Sequence, residues 1–191
     1  MWDIVAVVVG ALLLLILGYL YYSGLFYPIS INITKPYEGE LPIAYKYMIG
    51  NYKDCGPVFM EFMAATSHKT TLMGVYYDNP DVVDANKCRY IVGALLTGEG
   101  AQYRDTLMGR GYALTTIPAL EKAAVVDFPM VNKLSIIIAA KRIYSALFTY
   151  LKDKELTHKG FTLELYSGNN MRVVLPVLPD PDPAFFVKEL K

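Results

Sequence analysis

From Ile4 to Tyr22 the chain reads IVAVVVGALLLLILGYLYY, and no charged residue occurs between Asp3 and Lys35. A helix over these residues covers roughly 28 Å at ~1.5 Å per residue, about the thickness of one hydrocarbon core. Tyr19, Tyr21, Tyr22 and Tyr27 gather at its carboxyl end, where phenol rings favour the membrane–water interface, and Trp2 marks the other end. A cleaved signal peptide is the competing reading. It calls for a basic start, a shorter apolar core and a small-residue cleavage site. Here the start carries only Asp3, and the run continues into Tyr-Tyr-Ser-Gly-Leu-Phe, so residues 1–27 read as a retained transmembrane anchor. Lys35, Lys46 and Lys53 follow the span and no basic residue precedes it. The positive-inside rule then places the bulk of the chain in the cytosol.

The anchor accounts for an unusual composition. Hydrophobic residues make up 54% of the chain against 19% charged, more apolar than a soluble domain usually is. Eighteen basic residues balance eighteen acidic ones, which excludes nucleic-acid binding by charge, and the apolar content excludes a disordered chain. Two Cys and two His, with no CxxC or HxxxH pair, suggest neither a structural zinc nor a disulfide framework. Nothing calls for a cofactor. In the cytosol Cys55 and Cys88 would stay reduced.

Beyond a linker over residues 28–40, one domain is expected over 41–178, followed by a Pro-rich tail over 179–191. The apolar pattern alternates strand and helix. Leu41 to Met48 reads as a strand. Asp54-Cys-Gly-Pro57 opens a helix with Val58, Phe59, Phe62 and Met63 on one stripe, and Thr71 to Tyr77 and Lys87 to Leu96 are strands. The order then returns. Ala123 to Phe128 is a strand, and Val131 to about Lys154 a helix with Ile136, Ala139, Ala140, Ile143, Leu147 and Tyr150 on one face. Phe161 to Tyr166 and Met171 to Val177 form a hairpin. A short helix around Tyr103 to Met108 and a strand around Tyr112 to Ile117 lie between the copies. The expected class is α+β: two β-α-β-β repeats in one antiparallel sheet, helices on one face, behind a single transmembrane helix.

Such a sheet leaves its other face as a groove, and strand alternation assigns side chains to it. Phe161, Leu163 and Leu165 are expected under the helices. Thr162, Glu164 and Tyr166 are expected in the groove, together with Met73, Val75 and Tyr77. A carboxylate in an apolar pocket gains most by pairing with a desolvated cation, and tyrosine rings add cation–π contact. The candidate ligand-binding residues are therefore Glu164, Tyr166, Tyr77, Val75 and Met73, for a small amphipathic cation. Tyr76 has the opposite parity and reads as core. His68 and His158 read as solvated residues at helix ends, and Lys141-Arg142 as the wet face of the long helix.

AYKYMIGNY (44–52), GVYYDNP (74–80), Lys87-Cys88-Arg89 before IVGALL, and LELYSG (163–168) resemble the GyrI-like effector-binding domain family. A leading apolar span brings the pattern closer still to membrane-anchored animal members. The resemblance implies two β-α-β-β units around a central cleft in which a Glu at the place of Glu164 meets cationic aromatic ligands. It further implies a protein of the endoplasmic reticulum membrane or nuclear envelope with its domain facing the cytosol, acting as an adaptor in selective autophagy of that membrane. The implied partners are autophagosomal ubiquitin-like proteins and an unfoldase ATPase. Some family members hydrolyse strained cyclopropanes with a groove Glu and Tyr, but a carboxylate beside phenols is common, and no catalytic role is assigned here. The aromatic-x-x-aliphatic motif of autophagy receptors is not found in the tail, where Phe185 and Phe186 place Lys188 and Glu189 at its last position. Phe128-Pro-Met-Val131 has the spacing but falls at a strand-to-helix junction.

Overall fold

The structure is a computed structural model that describes residues 2–156, 158 and 160–177; the expected tail at 179–191 lies outside the described residues. Helix α1 (Trp2–Tyr22) is long and apolar enough to cross a membrane, and its apolar window is 0% buried by the rest of the chain. A signal sequence passes the same test of length and apolarity. Then follow β1 (Asn32–Thr34), β2 (Leu41–Ile49), α2 (Gly56–Ala65), β3 (Leu72–Tyr76) and β4 (Arg89–Leu95). The chain continues through α3 (Arg104–Gly109), β5 (Ala113–Ile117), β6 (Ala123–Pro129), α4 (Lys133–Asp153), β7 (Thr162–Ser167) and β8 (Asn170–Pro176).

All eight strands form one antiparallel sheet in the order β1-β6-β8-β7-β3-β4-β2-β5. The runs β2-α2-β3-β4 and β6-α4-β7-β8 have the same element order. They meet at the β3–β7 seam, where Gly74 pairs with Glu164 and Val75 with Leu163. Two elements lie outside the repeat: β1 adds an edge beside β6, and β5 adds one beside β2.

Local chemistry sets the helices. Pro57 sits in the first turn of α2, where its missing N–H costs nothing. Asn132 caps α4 by accepting from the Ser135 backbone N–H, and Ser135 Oγ in turn accepts from the Asn132 backbone N–H. That cap fixes where α4 begins. The helix buries Ser135, Ile138, Ala139, Ile143, Leu147 and Leu151 against the sheet. The expected face holds at Ala139, Ile143 and Leu147, whereas Ile136 and Ala140 are exposed and Tyr150 is half-buried. Ile136, Ile137 and Ile138 are consecutive, so apolar spacing alone leaves the rotation open. Each of the large apolar side chains on the buried face contributes about 1.5–3 kcal/mol over leaving it in water.

The sheet has two filled faces. Under α2 and α4 lie two clusters, one around Phe62, Tyr90 and Val92, the other around Val126, Ile143 and Val173. The opposite face carries Ile43, Met73, Val75, Ile91, Val125, Phe161, Leu163 and Val174. All but Val125 are at most 1% exposed, although among the described residues no helix contributes to their cluster. The sheet must curl until its own side chains and the crossing segments close that face. Leu120 and Tyr37 complete it, with Tyr37 Oη donating to the Pro118 carbonyl at 2.9 Å. The open groove expected on this face is therefore absent among the described residues.

Candidate functional site

The β3–β7 register decides where each predicted site residue points. Met73 lies opposite Leu165 and Val75 opposite Leu163, so these four share the closed concave face. Tyr77 packs half-buried at its margin. Glu164 lies opposite Gly74, on the other face, under the helices. The five predicted residues are thus split: Glu164 and Tyr166 come together, while Met73, Val75 and Tyr77 lie on the far side of the sheet. The physical reason is dryness. The all-hydrocarbon set Phe161, Leu163, Leu165 fills the closed core, and the set holding an acid takes the face where tyrosines can satisfy it.

Glu164 is 6% exposed. Tyr144, from α4, donates its phenol to Oε1 at 2.6 Å, and Tyr166 donates to Oε2. The Tyr76 phenol lies close enough to the carboxylate to help offset the effect of its burial. Tyr76 reaches it because Gly74 has no side chain: a Cβ there would meet the Tyr76 Oη at 2.8 Å. Phe59 of α2 meets the Tyr166 ring edge-on at 5.2 Å, roofing the site from the side of α2. Tyr76 stacks edge-on to Tyr52 at 4.8 Å.

Burial pushes the Glu164 carboxyl above its ordinary value, against the opposing pull of the Tyr144, Tyr166 and Tyr76 hydrogen bonds. Burial, reinforced by the carboxylate, lifts the Tyr144 and Tyr166 phenols well above theirs. Cys55, at the start of α2, is half-buried beside Tyr76, and its thiol is raised by burial and by Glu164. None of the ion pairs among the described residues involves Glu164. The arrangement is a desolvated acid held by phenol donors. It can pair with a cation, or give and take a proton at one oxygen. No cluster of three or more His, Cys, Asp or Glu side chains that would hold a metal occurs among the described residues.

Sequence reasoning missed Tyr144 and set Tyr76 aside as core. Gly74 in mid-strand was the available signal, since such a glycine marks a close approach. Arg142, read as wet, donates to the Gly24 carbonyl at 2.9 Å. His158, read as solvated, is half-buried with Nδ1 3.4 Å from the Pro176 carbonyl, and burial lowers its pKa. Phe128 is fully buried, so the Phe128–Val131 run is no exposed autophagy motif. The VYYDNP and KCR blocks form a clamp. Asp78 accepts from the Arg89 backbone N at 2.7 Å, from Nε at 2.9 Å and from Nη2 at 2.8 Å. Tyr52 Oη donates to the Asp78 carbonyl at 2.7 Å and accepts from its N–H.

These features define a class: an antiparallel α+β domain behind an apolar helix, with a buried acid among phenols where two helices meet the sheet. The chain is homologous over most of its length to Testis-expressed protein 264. It is 33% identical to the Homo sapiens protein over 184 residues (94% of this chain, 58% of the relative) and 32% to the Mus musculus homolog over 174 residues (89% and 55%). The chain thus spans little more than half the length of these curated relatives. No family model matches it. Among solved structures, an integron cassette protein from Vibrio cholerae superposes with a TM-score of 0.50 at 12% identity, covering 77% of this chain and 95% of its own, a likeness of fold alone. A hydrolase from Listeria innocua superposes at 0.46 with 7% identity, covering 80% of this chain and 94% of its own, too remote to carry an activity across.

Proposed function

We propose that this protein is a membrane-anchored adaptor of the endoplasmic reticulum that displays a GyrI-like domain to the cytosol in selective autophagy or quality control of that membrane. The observation that carries the reading is the extent of the homology. An alignment over 94% of the chain leaves out fewer residues than the 21 of α1, so it takes in part of α1 as well as the sheet. The two equivalent β-α-β-β runs meeting at the β3–β7 seam support the GyrI-like assignment. The partners on this reading are autophagosomal ubiquitin-like proteins and an unfoldase ATPase. The test is a tagged chain followed in starved cells. Delivery to lysosomes together with an autophagosomal protein is the expected result; retention in the reticulum without such a protein refutes the reading.

A second reading is favoured by the Glu164 site itself, a buried acid with phenols but no ion pair among the described residues. The domain would bind an amphipathic aromatic cation there, the phenols giving way as the cation enters between α2 and α4. Tetraphenylphosphonium at ~100-fold its dissociation constant should add about 2.7 kcal/mol to stability. A thermal shift unchanged in Glu164→Gln, or no shift at all, removes this reading.

A further inference from the structure

The span and the domain are joined by a bolted joint, and the joint sets which end of the domain faces the bilayer. Just past α1, Ser23 is fully buried. Its Oγ accepts from Asn132 Nδ2 at 2.9 Å, and Asn132 is the cap of α4. Arg142 of α4 holds the Gly24 carbonyl. Gly24 has φ +91°, and a Cβ there would come within 2.8 Å of the Phe128 ring. The Tyr27 ring packs edge-on against Phe128 at 5.4 Å. Leu25, Ile29, Ile31 and Ile33 then pack along the core under α4 before β1 pairs with β6.

The register shows which end this is. Pro129 at the end of β6 pairs with Asn170, Asn170 with Ser167, and neighbouring Tyr166 with Leu72. The first turns of α4, the β7–β8 turn and the start of β3 therefore share the end of the sheet to which α1 is fastened. On that end Ile136 and Ile137 are 45% and 58% exposed, four and five residues along α4 from the residue that grips Ser23. Phe26, just past α1, is 60% exposed, and Tyr21 and Tyr22 at the end of α1 are exposed as well. Lys133 opens α4, and Lys69 is exposed just before β3. Apolar tips, aromatic rings and lysines at one level are what the headgroup boundary of a bilayer accepts.

Resting on the anchor reading of α1, we infer that the first turns of α4 form a lipid-contacting surface, so that the domain lies on the bilayer with Ile136 and Ile137 in the headgroup boundary. The occupant is phospholipid rather than a protein because Asn132 and Arg142 fasten this end of the domain to the residues that directly follow the span. Contact of this kind fixes the tilt of the domain and leaves the opposite end, around Val82, directed at the cytosol.

The test uses the full chain in mixed phosphatidylcholine–phosphatidylserine vesicles. A photoreactive residue is introduced as Ile137→benzoylphenylalanine and, separately, at Ile136, at Leu14 in the span, and at Val82, which is 81% exposed at the far end. Lipid adducts are read by mass spectrometry. The expected yield at position 137 or 136 approaches that at 14 and exceeds that at 82 by about ten-fold, as for an interfacial helix. Adducts at 14 with only the yield of position 82 at both 136 and 137 overturn the lipid surface and leave the anchor standing. Absence of adducts at 14 removes the anchor reading and this inference with it. Cross-linking of position 137 into a protein dimer makes a second copy the occupant and also overturns the proposal.

Discussion

Protons should act in opposite senses on Glu164 and Asp78. Burial raises the Glu164 carboxyl, so its folded form holds a proton more tightly than the unfolded chain does. Its contribution to stability is complete below the ordinary carboxyl value of about 4.3 and is lost as pH rises through the raised folded value. The Arg89 guanidinium lowers Asp78, so that contribution is present above the ordinary value of about 3.9 and is lost as pH falls through the lowered one. His158, lowered by burial, gains stability as pH rises toward its ordinary value, so the wild-type curve mixes terms of both signs. Subtracting the Glu164→Gln curve isolates the acid. The variant should gain on the wild type steadily as pH is raised above the ordinary carboxyl range, read by thermal melts; a constant difference contradicts the assignment. Asp78→Ala leaves three Arg89 donor contacts unmade and should cost about 1–3 kcal/mol, the lower part of that range being set by solvent around the half-exposed guanidinium. Chemical denaturation measures it. Alternation along β7 separated Glu164 from Leu163 correctly. What alternation does not carry is which face of β3 shares a side with which face of β7. That depends on register, and a one-residue difference moved Met73, Val75 and Tyr77 away from the acid.

Among the elements, β3 shows how a strand serves a side chain on its neighbour. Gly74 weakens the strand intrinsically, yet it is the gap through which Tyr76 folds back toward Glu164. Gly74→Ala should displace the Tyr76 ring that lies over position 74 and cost about 1–3 kcal/mol in urea unfolding. A neutral result would mean that Tyr76 has room to spare. Helix α4 makes the complementary point. Its existence and length were legible in apolar spacing. Its rotation was not, because the successive isoleucines Ile136 to Ile138 fit more than one face, and only packing against the sheet selects Ile138, Ala139, Ile143 and Leu147. Asn132→Ala removes both that cap and the bond to Ser23. Loss of the cap alone costs about 1 kcal/mol, and hydrogen exchange should quicken together in the first turn of α4 and in residues 23–27. Exchange that quickens in α4 only would mean the joint to α1 does not depend on Asn132.

At the scale of the whole molecule, the repeat invites the idea of two independent halves, and the packing argues otherwise. Each half alone would expose an edge, β3 in one and β7 in the other, and each would open the concave face that the curled sheet closes. That core mixes Ile43, Met73 and Ile91 from the first half with Val125, Leu163 and Val174 from the second. The recurring order of elements was legible in the sequence; closure was not, because it depends on loop residues such as Leu120 and Tyr37 that belong to neither run. A core shared across the seam makes the halves fold as one unit. In detergent, the full chain should therefore lose near- and far-ultraviolet circular dichroism of the domain in one coincident transition. Leu163→Ala, at the seam opposite Val75 and fully buried, should lower that single transition by about 2–5 kcal/mol without splitting it. Separate transitions, with only the second half responding to Leu163→Ala, would show that the concave core is not shared and that the seam is merely a contact between two finished domains.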